Sequence, residues 1–181
     1  SAILCIFLII GALIFSYLKR WMITYGIIIA NVLVFIITVL FRFEIIYGYS
    51  QLGLQFAGLG FRPIYLSPEL FPQIYTLLTS MFIHSVLNPL HIFGNMLIFF
   101  FIGVGFEQRV GWKKFLIIYV ISGICGALAH SIINYNTENA GTVLIGASGA
   151  IFGIMGAFAY SYPRDEVVMP VPLFVIMIFR R

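Results

Sequence analysis

Five apolar runs, separated by short charged or polar breaks, leave this sequence few ways to fold: Ala2–Leu18, Met22–Leu40, Pro89–Phe106, Phe115–Ile133 and Gly146–Tyr160. A helix needs roughly 17–25 such residues to cross the hydrocarbon core of a bilayer. Charged residues make up 9% of the chain and hydrophobic ones 62%, where a globular domain carries about 25% charge. The sequence therefore predicts an all-α polytopic membrane protein. The net charge of +4 does not indicate a nucleic-acid partner, because the basic residues mark loops between spans. Cys5 and Cys125 both fall inside apolar runs and read as small core residues without a disulfide. No CxxC, HExxH or carboxylate cluster points to a metal or a cofactor.

The first run is followed, not preceded, by Lys19-Arg20, which favours a membrane anchor over a cleaved signal peptide. Only Trp21 separates that basic pair from the second run, so the two must form a hairpin. Residues 43–75 hold four glycines and three prolines among aromatics. They are too broken for a span and read either as an ordered loop in the membrane interface or as a long connection. Asn88-Pro89 marks a helix start, with Asn as N-cap and Pro at the first position. Glu107, Arg109, Lys113 and Lys114 read as a charged turn, and residues 134–141 as a polar loop. Pro170 and Pro172 prevent a clean span over 167–179, which is expected to approach a further helix along the interface. The chain opens at Ser1 inside an apolar run and stops at Arg181 without a polar tail, so both ends are expected to be cut.

Eight of the Lys and Arg residues (Lys19, Arg20, Arg109, Lys113, Lys114, Arg164, Arg180, Arg181) fall on one side, and Arg42 and Arg62 on the other. The positive-inside rule puts the eight in the cytoplasm. The protein is thus expected in the cell membrane, with the loops at 43–75 and 134–145 outside.

Polar residues inside such spans are costly and usually functional. His91 and Asn95 are four residues apart, on one face of the third span, and both can donate hydrogen bonds. Measured up from the basic residues at 1.5 Å per residue, His91 lies ~27 Å, Asn95 ~21 Å and Ser148 ~24 Å above the floor. Ser148 falls at a level between the other two. It opens the last apolar run, where unpaired N–H groups and a positive dipole end are available to a developing oxyanion. Gly149, Gly153 and Ala157, with Gly146 and Gly156, form a stripe suited to close helix packing; Gly123, Ala127 and Ser131 form another on the fourth span. His130, also ~24 Å above its floor, reads first as a helix-end histidine bonded to its surroundings and second as a substitute base. His84 precedes the helix start and reads as a loop residue bonding backbone.

Thr79-Ser80-Met81-Phe82-Ile83-His84, His91-x-x-x-Asn95, Gly103-x-x-x-Glu107 and Gly146-x-Ser148-Gly149 together resemble the rhomboid intramembrane serine proteases, in register from about Met22 to Ser161. The resemblance implies a rhomboid-like helical bundle that cleaves transmembrane protein substrates in the bilayer, near the extracytoplasmic face. It maps the nucleophile to Ser148 and the oxyanion donors to His91 and Asn95, and makes Glu107 and Arg109 structural. Residues 2–18 become an extra N-terminal transmembrane helix before a partial core over 22–181, with 167–181 a cytoplasmic interfacial segment. Tyr75-Thr76 stands where the family often has Trp-Arg. The family's base is a histidine on its sixth core helix, some fifty residues after the serine. On this reading the last two core helices and the base lie past Arg181, and the fragment alone is inactive. The alternative is a non-catalytic relative that binds transmembrane segments.

Overall fold

The computed structural model describes residues 2–47 and 58–164. Among the described residues seven α-helices run in order: α1 (Ala2–Leu18), α2 (Ile23–Leu40), α3 (Arg42–Tyr47), α4 (Thr76–Thr79), α5 (Pro89–Val110), α6 (Trp112–Asn134) and α7 (Ser148–Ser161). Short 3-10 turns fill Pro63–Leu66, Pro68–Tyr75, Ser80–Phe82 and Glu138–Gly141. No strand occurs among the described residues; Phe61 and Leu144 form one isolated antiparallel bridge. Helices α2, α5 and α6 are long and apolar enough to cross a membrane, while α1 and α7 are shorter apolar helices. This is the all-α membrane bundle that the apolar runs predict. Ile3, Phe7, Leu40, Phe93, Ile132 and Phe152 are exposed on the outside of the bundle, as surfaces solvated by acyl chains require.

Two clusters of buried side chains hold the bundle. One joins α2, α5, α6 and α7 around Phe99, Phe106, Phe115 and Tyr119. The other joins α1 and α2 with Ile45, Leu59 and Ile83. The hairpin expected of the first two runs is present, and it is tight. At Gly26 a Cβ would come within 2.8 Å of the Ser16 Oγ and 3.2 Å of the Ala12 carbonyl.

Small residues set the approach of α6 to α7. A Cβ on Gly126 would lie 3.3 Å from the Gly149 Cα, and one on Gly153 would collide with Ser122. The α6 face that meets α7 is therefore the Ser122–Gly126–His130 line. The stripe read from sequence, one position along, packs elsewhere: Gly123 lies against Met81. Ala127 belongs to the cluster of Phe61, Tyr65 and Leu77.

The expected charged turn is shorter than its charges suggest. Helix α5 continues through Glu107 and Arg109 and stops at Gly111, whose φ of +81° suits glycine best. Lys113 and Lys114 then lie in the first turn of α6. Asn88 does occupy the N-cap of α5, with Pro89 next, but its side chain makes no capping bond. Its carbonyl instead accepts from the His91 N–H at 3.0 Å.

Contacts at one end of the bundle gather the basic residues. Tyr17 meets Trp112 edge-on at 5.4 Å, and the Arg109 guanidinium lies 4.6 Å from the Tyr162 ring centre. The Glu107 carboxylate accepts from the Ile23 and Thr24 N–H groups at 2.7 and 2.8 Å and from the Thr24 hydroxyl at 2.7 Å. These are donors that the start of α2 leaves without helical partners. Of the segment at 43–75, residues 42–47 and 58–75 form the short helix and turns just given, and 48–57 lie outside the described residues. So do 167–181, with Arg180 and Arg181.

Candidate active site

The site is built where the turn before α7 meets the start of α5. Backbone bonds hold Leu144 and Gly146. Leu144 exchanges backbone bonds with Phe61 at 2.7 and 3.2 Å, and the Gly146 N–H donates to the Ser80 carbonyl at 3.0 Å. Gly146 has φ +120°, a conformation that side chains with a Cβ rarely take. That geometry turns the chain from the strand-like pairing into α7, which begins at Ser148.

Gly146 also supplies the space. A Cβ there would sit 3.0 Å from His91 Cε1, 3.3 Å from His91 Nε2 and 3.9 Å from Asn95 Nδ2. The two polar residues of α5 thus face Gly146, two residues before Ser148. His91, Asn95 and Ser148 are all half-buried.

His84 ties this arrangement together. It is fully buried. Its Nε2 lies 3.0 Å from Asn95 Nδ2, and the Ala147 N–H donates to the same nitrogen at 3.5 Å. Its ring meets His91 edge-on, centres 5.2 Å apart. Loss of water, and secondarily the nearby His91, lowers the His84 pKa to about 3. The backbone bond is the one the sequence suggests for a histidine before a helix start. The Asn95 bond is not legible, because His84 is eleven residues away and the intervening turn decides where its ring points. The signal that was present is density: two histidines and two asparagines within 84–95.

On the far side of Ser148, toward α6, lies a cavity of about 240 Å³. Ser148, Gly149, Gly146, Ser80, Gly126 and His130 are among its walls. His130 reaches it because it continues the Ser122–Gly126 line that meets α7. Its Nδ1 is 3.4 Å from Asn134 Nδ2, and its buried Nε2 has no partner among the described residues. Ser148 Oγ has no hydrogen bond within the described residues. The structure therefore brings His91, Asn95 and His84 around Gly146-Ala147 and puts Ser148 and His130 on one cavity. Among the described residues no cluster of His, Cys, Asp and Glu could hold a metal.

Chemically, this is a hydroxyl at a helix start, two residues after a glycine that the His91 ring and the Asn95 amide approach. The first N–H groups of a helix lack helical partners. The Ala147 N–H is occupied by His84, and Ser148 is the first residue of α7.

Comparison with known proteins agrees with this reading of the helices. The family model described as the rhomboid domain matches residues 72–180. RHOMBOID-like protein 1 of Arabidopsis thaliana is 38% identical over 85 residues, 47% of this chain and 20% of that protein. The putative rhomboid protease YdcA of Bacillus subtilis is 37% identical over 95 residues, 52% of this chain and 45% of that protein. Rhomboid protease AarA of Providencia stuartii is 43% identical over 88 residues, 43% of this chain and 31% of that protein. The chain thus spans less than half the length of these relatives. No solved structure gives a significant match.

Proposed function

The chain belongs to the rhomboid family, and from that premise we propose that the protein it represents is an intramembrane serine endopeptidase acting on transmembrane protein substrates. Ser148 Oγ attacks the scissile carbonyl carbon. The Ser148 N–H, His91 Nε2–H and an Asn95 amide N–H hold the oxygen that becomes negative. The hydroxyl proton passes to a base, which then returns it to the leaving amine. By the family resemblance that base is a histidine on a later core helix, outside the described residues; His130, on the Ser148 cavity, is the substitute. The extra helix α1 stands before the core, and the site opens toward the extracytoplasmic face, opposite the basic end.

The observation that carries this reading is the convergence on Gly146: both donors of α5 meet the residue two before the hydroxyl. The test is Ser148→Ala in the full-length protein, with a labelled transmembrane substrate in proteoliposomes. Cleavage is expected to vanish, and undiminished cleavage refutes the proposal. A non-catalytic binder of transmembrane segments would also leave Ser148 unlabelled by a fluorophosphonate in the full-length wild type. Loss of both cleavage and labelling in His130→Ala, with folding retained, would assign the base to His130.

A further inference from the structure

Beyond the residues assigned above, the contacts of one ring imply a further role. A backbone N–H can only donate. The Ala147 N–H points at His84 Nε2, so that nitrogen is an acceptor and carries no proton. A neutral imidazole then carries its proton on Nδ1, which is buried without a hydrogen-bond partner among the described residues. The same Nε2 lies 3.0 Å from the Asn95 amide, so Asn95 must present its NH2 group there and not its carbonyl oxygen. An amide NH2 has two hydrogens. One is spent on His84, and the other is left for a second acceptor on the Gly146 side.

We propose that His84 is a positioning residue: its Nδ1-protonated ring accepts from Asn95 and from the Ala147 N–H, and so fixes the oxyanion donors of α5 relative to the start of α7. The inference rests on the protease reading and deepens it. Without the ring, no side chain bond links the Asn95 amide to the α7 turn among the described residues. Asn95 would then be free to rotate its oxygen toward the developing charge, which repels where the NH2 attracts. Occupying the Ala147 N–H also holds the α7 turn at Ala147, which directs the Ser148 N–H, and not its neighbour, at the substrate oxygen. His84 touches neither substrate nor reacting atoms and acts through Asn95 and the backbone.

The test uses the full-length protein in proteoliposomes. His84→Leu keeps the bulk and removes the acceptor; kcat should fall ~10–100-fold, the size of effect expected when reacting groups shift by about an ångström, with KM held within about threefold. His84→Gln, whose Oε1 can accept, should recover part of that loss. The loss should not recur in an Asn95→Ala background, because residues acting as a unit are not additive. Full additivity with Asn95→Ala, or wild-type kcat in His84→Leu, overturns the proposal. If His84→Leu fails to fold, the nitrogen-15 spectrum of the wild type decides: Nδ1-protonated His84 supports the role, and Nε2-protonated His84 refutes it. A wild type that neither cleaves substrate nor takes up a fluorophosphonate refutes the protease reading instead, and the spectrum still reports on His84.

Discussion

Gly146 faces the His91 ring so closely that a methyl group between them would sit 3.0 Å from Cε1. The glycine is needed twice over, for that space and for its φ of +120°. Gly146→Ala is expected to strain the turn by ~1–3 kcal/mol and to push His91 off the site. Proteolytic rate in the full-length protein should fall well before stability does, because the displaced ring is the proposed oxyanion donor. Rates on a transmembrane substrate, with a melting curve in detergent beside them, check this. A variant that cleaves like wild type would mean His91 takes no part in the turn's geometry.

Glu107 gives a stability prediction far from the chemistry. Its buried carboxylate satisfies three donors at the start of α2. Removing it leaves those donors buried and unpaired, at about 1–3 kcal/mol for a lost partner of this kind. Glu107→Ala should lower the melting temperature measurably, and Glu107→Gln nearly as much, since its NH2 would face an N–H. Gln108→Ala, an exposed neighbour, should change little.

The crossing of α6 on α7 predicts a steric series. Gly126 and Gly149 meet backbone to backbone, with 3.3 Å from a Gly126 Cβ to the Gly149 Cα. Gly126→Ala asks for a shift of a few tenths of an ångström, while Gly126→Val and Gly126→Leu must part the helices. Stability should fall in that order. The cavity that Ser148 shares with His130 should open in the same order, which cysteine accessibility in a Ser148→Cys background reads directly.

How much of this was visible in the sequence follows from how each feature is specified. Helices were legible because lipid forces long apolar runs, and α1 matches its run residue for residue. The approach of His91 and Asn95 to the turn before α7 is of the kind a fixed helical rise lets a sequence suggest. Ends were not: α5 runs through Glu107 and Arg109, because those charges serve packing and only Gly111 can turn the chain. Rotation about the axis was not legible either. Gly123–Ala127–Ser131 and the Ser122–Gly126 pair that leads to His130 both offer small residues at the same spacing, and only the position of Met81 and α7 decides which line meets which. His84 shows the same limit: its partners lie 11 and 63 residues away, and no local pattern encodes them.

That buried His84 ring also sets a pH dependence. Its pKa is ordinarily near 6.5 and is lowered to about 3 in the folded protein. The unfolded chain therefore binds a proton at higher pH than the native one does. Stability from the neutral ring is complete above pH 6.5 and is lost as pH falls from there toward 3, by at most about 1.4 kcal/mol per pH unit. Unfolding at a series of pH values should show this acid-side decline in the wild type. His84→Gln cannot titrate, so its decline over the same window should be shallower by that one-proton slope. Parallel curves for the two proteins would mean that His84 charges freely in the native state, and the acceptor role of its Nε2 would fall with it.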